Sequence, residues 1–169
     1  MTADTLKIES IRLLALLKIV RREGVLLLKT DTRLFKAELD AAWVERLESD
    51  DDLAERLDAF VSRFGRVQDT VGDKLIPALL RSMAETTGSA LDNLNRAEKL
   101  GLLPSVEDWL SARNLRNKLV HEYMSDPEEF AVALNKAHWT VLLLVTAYNN
   151  INRYARSRIP AAEWPELLP

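Results

Sequence analysis

Arginine, histidine and tyrosine lie close together in one stretch of this chain, residues 113–123, which reads Arg-Asn-Leu-Arg-Asn-Lys-Leu-Val-His-Glu-Tyr. Arginine is a permanent cation with a planar fork that binds phosphate or carboxylate. Histidine is the side chain whose proton moves near neutral pH. Residues of these types, so close together, suit phosphodiester chemistry that needs no metal.

A helix must position these side chains. Ser105-Val106-Glu107-Asp108 resembles a capping box and predicts a helix over about 105–124. At 100° per residue, one face of this helix carries Val106, Trp109, Leu110, Arg113, Arg116, Asn117, Val120, His121 and Tyr123. Leu115 and Leu119 form a second apolar patch almost opposite. A helix that is apolar on two sides is either deeply buried or contacts a second subunit.

Polar groups beside an apolar stripe must be hydrogen-bonded or functional, because an unpaired buried group costs about 1–3 kcal/mol. Ordinary structural pairing is therefore the alternative explanation for the polar side chains on this helix face. The residues alone leave both explanations open.

The rest of the chain also has helical periodicity. Glycine is scarce, and no alternating pattern of a strand occurs, which predicts an all-α fold without a sheet. Helices are expected over about residues 4–29, 32–47, 90–100, 105–124 and 127–158. A further helix is expected from residue 53 onward, with a kink near 72–77. Ser49-Asp50-Asp51-Asp52 is interpreted as a helix start and not as a metal site. Segment 160–169 contains three prolines and is expected to be loose.

Composition sets further limits. A chain of 169 residues fits one domain, and its net charge of −3 argues against broad, nonspecific nucleic-acid binding. A local groove could still be positive, since basic residues cluster at Lys18, Arg21 and Arg22 and again at Arg153, Arg156 and Arg158. The absence of cysteine fits a reducing compartment, and the N-terminus lacks the features of a secretory signal. The uncharged run 137–152 is shorter than a membrane span. We therefore expect a cytoplasmic protein with no membrane partner.

Other candidate sites fail on spacing. Gly65 and Gly72 are followed by Lys74, but six residues separate these glycines where a phosphate-binding loop needs four, and no strand precedes them. His121-Glu122 lacks the second histidine of a zinc-protease motif. With two histidines in the chain, a histidine-rich metal site is excluded. We expect no metal and no cofactor.

Residues 116–123 resemble the Arg-x4-His-x-Tyr signature of the HEPN-superfamily ribonuclease toxins, specifically the HepT-like group. Asn117, a polar residue directly after the arginine, and Trp109, seven residues before it, also match the family pattern. The order of helices is similar over roughly residues 50–158. Two features depart from the family pattern: segment 30–48 is longer, and the break at 72–77 is not expected.

The resemblance implies an up-and-down bundle of about five or six helices that dimerises with two motif helices facing each other. It implies metal-independent cleavage of RNA, not DNA, by attack of the ribose 2′-hydroxyl on the adjacent phosphate. His121 would act as general acid or base, and Arg116 would stabilise charge on the phosphorane. Asn117 would position a phosphate oxygen or hold His121, and Arg113 would add a phosphate contact.

The resemblance also implies a partner. Toxins of this group are paired with a small nucleotidyltransferase antitoxin that can adenylylate the motif tyrosine, which corresponds to Tyr123. The added phosphate charge and bulk would block RNA entry. The alternative is a non-catalytic HEPN module, a partner or substrate-binding subunit of a nucleotidyltransferase, in which Arg116 and His121 maintain a dimer contact. A purely structural helical bundle is the third interpretation.

Overall fold

A computed structural model describes residues 1–121, 126–161 and 163–169, without the side chain of His121. The fold is an all-α bundle that is 78% helical, and the described residues contain no strand. Its helices are α1 (Ala3–Leu34), α2 (Ala41–Glu45), α3 (Asp51–Asp69), α4 (Ile76–Ser82), α5 (Ala90–Lys99), α6 (Val106–His121) and α7 (Pro127–Arg156). A 3₁₀ turn, Arg46–Glu48, follows α2, and a π-helical segment, Thr70–Leu75, joins α3 to α4.

The first helix is longer than its sequence predicts. Thr30 and Asp31 do not end α1, because both side chains find partners that leave the helix intact. Thr30 Oγ1 donates to the Leu26 carbonyl at 3.0 Å, and Asp31 Oδ1 lies 2.7 Å from His138 Nδ1 of α7. The helix ends instead at Leu34, and the N–H of its C-cap Phe35 donates to the Asp31 carbonyl.

The helix predicted over 32–47 is wrong in its first part. The chain leaves α1 and is held by Asn135 of α7, whose side chain accepts the Leu39 N–H at 3.0 Å and donates to the Leu39 carbonyl at 2.8 Å. Asp40 then caps the short α2 by accepting the Trp43 N–H at 2.8 Å. The helical spacing of apolar residues therefore predicted too long a helix. The hydrogen bonds from Asn135 hold the backbone at Leu39 in a non-helical conformation.

The kink predicted at 72–77 is a π-helical segment inside a continuous helix that spans 51–82. The change in hydrogen-bond pattern comes immediately before Pro77, which has no backbone N–H to bond one turn back. The predicted start at Asp50 is confirmed, since its Oδ1 accepts the Leu53 N–H at 3.0 Å. The helix starts predicted at residues 90 and 127 are confirmed as well, and Ser89 and Asp126 are their N-caps.

One connected core holds these helices together, and it contains the fully buried side chains of Leu17, Phe60, Phe64, Trp109 and Tyr148. α1 packs along α3 and α4, while α6 packs between α3 and α7. Among the described residues, α7 is the one helix long and apolar enough, by length and composition, to cross a membrane. Twelve of its 30 residues are buried, among them Leu134, Leu144 and Ile151 of the core.

Residues 163–169 are held in place, in contrast to the loose segment predicted there. Asn149 bonds both the N–H and the carbonyl of Leu168, at 2.8 and 2.9 Å. The Leu168 side chain is buried with 4% exposure. The three prolines indicated a loose segment, because the bonds that fix it come from side chains of α7 and not from the segment itself.

Candidate functional site

The motif helix begins with two caps. Ser105 Oγ accepts the Asp108 N–H at 3.1 Å, and Glu98 Oε2 accepts the Val106 N–H at 2.6 Å. Two of the N–H groups that an α-helix leaves unbonded at its start are thereby satisfied. The bond from Glu98 fixes the start of α6 against the end of α5. The position of this start determines where the motif side chains of α6 lie.

Two glycines allow α6 to lie close against the 51–82 helix. A Cβ on Gly65 would come within 2.9 Å of Arg116 Nε, and one on Gly72 would come within 3.1 Å of Trp109 Nε1. Gly65 and Gly72 are seven residues apart, and so are Trp109 and Arg116. Because the higher-numbered glycine faces the lower-numbered partner, the two helices run antiparallel. The glycines rejected as a phosphate loop therefore accommodate the motif helix.

Arg116 is held by two side chains at this interface. Its Nη2 donates to Asp69 Oδ2 at 3.1 Å, and its Nη1 donates to Asn117 Oδ1 at 3.1 Å. The side chain of Arg116 retains 28% exposure. Its Nε is buried and has no hydrogen-bond partner among the described residues. The guanidinium is fixed in orientation and still accessible at one edge.

Arg113 makes a parallel contact one turn earlier, where its Nη2 donates to Asp73 Oδ1 at 2.7 Å. Asp73 belongs to the π-helical segment, and single π turns in helices are often found at functional sites. Arginine and aspartate thus pair twice across the same interface, Arg116 with Asp69 and Arg113 with Asp73.

Trp109 fills the interior next to these pairs. It is fully buried, and its Nε1 has no partner among the described residues, nor does the Oε1 of buried Gln68. The amide of Gln68 contacts the Trp109 carbonyl at 3.5 Å. Buried polar atoms are nearly always hydrogen-bonded in native proteins, so this cluster is unusual and lies directly behind Arg113 and Gly72.

The two apolar sides of α6 are both covered within the subunit. Leu115 and Leu119 are buried in the core, and Trp109 is buried against Gly72 of the 51–82 helix. The two-sided pattern therefore follows from the position of α6 inside one bundle and no longer argues for a second subunit. Leu110 and Val120 remain exposed on the outer surface of α6.

A cleft of about 710 Å³ opens beside Arg116. It lies between α3, the C-terminal half of α6 and the start of α7, and Leu57, Val61, Leu119 and Phe130 form much of its wall. Its charged border consists of Glu48, Asp58, Arg66, Asp69 and Arg116. The cleft is therefore an apolar hollow with an arginine and an aspartate of the paired interface at its edge.

The sequence-predicted site residues are only partly brought together. Arg116 and Asn117 are in direct contact, and Arg113 lies on the same side of α6 as Arg116. His121 is the last residue of α6, but its side chain lies outside the described part of the structure. Tyr123 lies outside the described residues as well.

The sequence reasoning missed Asp69 and Asp73. Their partners, Arg113 and Arg116, are more than thirty residues away in the chain, so no local motif links them. The one signal available was the seven-residue spacing that Gly65 and Gly72 share with Trp109 and Arg116. That signal has meaning only once α3 and α6 are known to be antiparallel neighbours.

A second polar pair was also missed. His138 Nδ1 lies 2.7 Å from Asp31 Oδ1, and the imidazole stacks on Phe35 with ring centroids 4.5 Å apart. Burial raises the pKa of Asp31 above its ordinary value, while the hydrogen bond with His138 acts in the opposite direction. This pair fastens the end of α1 to α7 on a different part of the bundle from Arg116.

Metal ligation has no support in the described residues, which contain no group of three or more histidine, cysteine or acidic side chains arranged to hold an ion. The three consecutive acids at 50–52 act at the start of α3, where Asp50 caps the helix. The arrangement at Arg116 is one of fixed cations and hydrogen-bond acceptors.

No protein-family model matches this chain, and no curated protein or solved structure matches it either. The resemblance to HEPN ribonucleases therefore stays a prediction from the residues of the motif and from the expected order of the helices around it.

Proposed function

We propose that this protein is a metal-independent endoribonuclease of the HEPN type, the toxin of a pair with a nucleotidyltransferase antitoxin. The observation that carries the proposal is the environment of Arg116, whose guanidinium is held at a cleft edge by Asp69 and Asn117. An arginine fixed in this way and still partly accessible is suited to bind a phosphate with little loss of side-chain entropy.

Each motif residue has a defined role in the proposal. Arg116 stabilises the negative charge that develops on the phosphorane, and Arg113 contributes a second phosphate contact. His121 transfers the proton of the 2′-hydroxyl or of the leaving 5′-oxygen. Asn117 holds the guanidinium of Arg116, a positioning role that its contact with Nη1 supports.

A second copy of the chain completes the proposed site. Residues five apart on an α-helix are separated by about 140°, so positions 116 and 121 lie at the two edges of the broad face that carries the motif. Two motif helices facing each other would bring the arginine of one copy towards the histidine of the other. The exposed Leu110 and Val120 on the outer surface of α6 are suitable contacts for such a dimer.

Regulation is proposed to act at Tyr123. A nucleotidyltransferase partner that attached nucleotides to this tyrosine would add phosphate charge two residues from His121. Negative charge at that position would compete with RNA for the arginines and repel the RNA backbone.

A specific observation favours a second candidate function, that of a non-catalytic partner module for a nucleotidyltransferase. Both arginines are already paired with aspartates, and the cleft beside Arg116 is lined mainly by Leu57, Val61, Leu119 and Phe130. An apolar hollow of this kind fits a side chain of a partner protein better than it fits a polyanion.

The product chemistry distinguishes these functions. The purified chain is incubated in chelator with an RNA oligonucleotide and with the same sequence carrying 2′-deoxyribose throughout. The nuclease proposal predicts RNA fragments that end in 2′,3′-cyclic phosphate, and no cleavage of the deoxy substrate. Cleavage of both substrates, or fragments with 5′-phosphate, contradicts the proposed mechanism, and no cleavage together with stable binding of the nucleotidyltransferase supports the partner module.

A further inference from the structure

Residues 163–169 occupy a groove formed by α1 and α7. We call it the α1–α7 groove, and the residues that form it are Arg21, Gly24, Tyr148, Asn149, Asn152 and Arg156. The segment runs antiparallel to α7, since Pro165 lies at Asn152 and Leu168 lies at Asn149. The groove therefore holds an extended peptide between two helices.

Side chains of α7 recognise the backbone of this peptide. Asn149 Oδ1 accepts the Leu168 N–H at 2.8 Å, and Asn149 Nδ2 donates to the Leu168 carbonyl at 2.9 Å. An asparagine amide that hydrogen-bonds both the N–H and the carbonyl of one residue makes the same pair of bonds as a neighbouring β-strand. This contact selects an extended backbone, whatever the side chains.

Three further donors reach the carbonyls before Leu168. Asn152 Nδ2 donates to the Pro165 carbonyl at 3.0 Å, and Arg156 donates to the same oxygen. Tyr148 Oη donates to the Glu166 carbonyl at 3.2 Å. Pro165 has no N–H that needs a partner, so a proline suits this position.

The side chain of Leu168 supplies selectivity. A Cβ on Gly24 would lie 2.5 Å from Leu168 Cδ1, so the leucine occupies space that only a glycine in α1 leaves open. Leu168 has 4% exposure and belongs to the core. The groove thus binds a segment in which a leucine follows three residues after a proline.

Charge complements these contacts. Arg21 Nη2 lies 3.2 Å from Glu166 Oε2, and Lys18 and Arg22 line the adjoining hollow beside Pro165. The segment itself carries Glu163 and Glu166 and no cation. An acidic peptide is therefore attracted to a basic border of α1.

We propose that the α1–α7 groove is a peptide-binding site for an acidic Pro-x-x-Leu segment, and that its partner in trans is segment 163–169 of a second copy of this chain. In sequence, three residues, 160–162, separate the segment from the turn after α7, in which the Ile159 N–H donates to the Ala155 carbonyl. Exchange between two copies replaces every contact by an identical one, which makes it a low-cost route to a dimer. The inference is independent of the nuclease proposal.

The test measures binding of a fluorescein-labelled peptide with the sequence of residues 160–169. The protein is the full chain with Leu168→Asp, which prevents its own segment from filling the Gly24 notch. Saturable binding is expected, and it should weaken at least tenfold when Asn149→Ala is added. Asn114→Ala, at an exposed asparagine of α6, is the matched control and should leave binding unchanged.

Absence of saturable binding to a Leu168→Asp chain with unchanged circular dichroism overturns the proposal, as does binding that Asn149→Ala leaves intact. Leu168→Ala takes the place of Leu168→Asp if the latter loses helix content. The exchange itself is tested on the unaltered chain, refolded at high protein concentration and analysed by sedimentation. An increase in mass over protein refolded at low concentration is expected, and Asn149→Ala should abolish that increase; peptide binding without such an increase overturns the second copy as the partner.

Discussion

Gly65 and Arg116 are in direct contact across the interface between α3 and α6, so closely that a Cβ on the glycine would lie 2.9 Å from Arg116 Nε. The guanidinium reaches Asp69 because nothing larger than hydrogen stands at position 65. The orientation of the proposed phosphate-binding arginine therefore depends on a residue in another helix that carries no functional group.

Gly65→Ala should displace Arg116 while leaving the fold nearly as stable. The added Cβ forces the arginine side chain to move, but alanine in a helix interior gains about 0.5–1 kcal/mol over glycine. We expect the free energy of unfolding in urea to change by less than about 1 kcal/mol and RNA cleavage to fall at least tenfold. Ser62→Ala, on the same helix, is the control. Full cleavage by the Gly65→Ala variant would show that the position of Arg116 is irrelevant.

Asp69→Asn separates positioning from charge. Removing the carboxylate leaves Arg116 without its counter-charge, so binding of RNA to a His121→Ala background should tighten severalfold. At the same time kcat should fall, because the guanidinium loses the partner that fixes it. Asp58→Asn makes the same charge change at the rim of the cleft and should affect binding without lowering kcat. A rise in kcat for Asp69→Asn would contradict the positioning role and show that Asp69 only inhibits RNA cleavage.

His138→Leu should increase the pH dependence of stability that Asp31 contributes. Burial already raises the pKa of Asp31 above its ordinary value of 3.8, and the hydrogen bond with His138 opposes that rise. Without the histidine the pKa rises further, so the penalty is present above the folded-state pKa and disappears as pH falls below 3.8. We expect a loss of about 1–3 kcal/mol near pH 7, measured by urea unfolding across pH.

The double variant His138→Leu with Asp31→Asn provides the control for this pH dependence. It has no group at position 31 that can ionise, so the pH-dependent part of the loss should be absent. A His138→Leu variant whose stability loss is the same at pH 7 and pH 4 would instead assign the effect to lost packing against Phe35.

The helices of this chain were largely predictable from sequence, and the exceptions share one physical cause. Local signals correctly placed the helix starts that Asp50, Ser89 and Asp126 cap, because a cap depends on residues within one turn. The end of α1 and the fixed position of Leu168 were missed, since His138 and Asn149 act on them from far along the chain.

The same distinction holds at the candidate site. The sequence pointed to Arg113, Arg116 and Asn117 on one helix, and the structure brings Arg116 and Asn117 into contact. It could not reveal Asp69 or Asp73, whose roles exist only because α3 and the π-helical segment lie antiparallel to α6. A local motif therefore identified the helix that matters but not the residues that orient its side chains.

The most direct test of the central claim is cleavage of RNA in chelator by the purified chain, by His121→Ala and by Arg116→Ala, each with unchanged circular dichroism. A positioned general acid or base contributes about 10²–10⁴-fold, and a fixed charge-stabilising group about 10²–10³-fold. The proposed site predicts cleavage by the unaltered chain and a loss of at least about a hundredfold in both variants. Equal cleavage by all three proteins would contradict it.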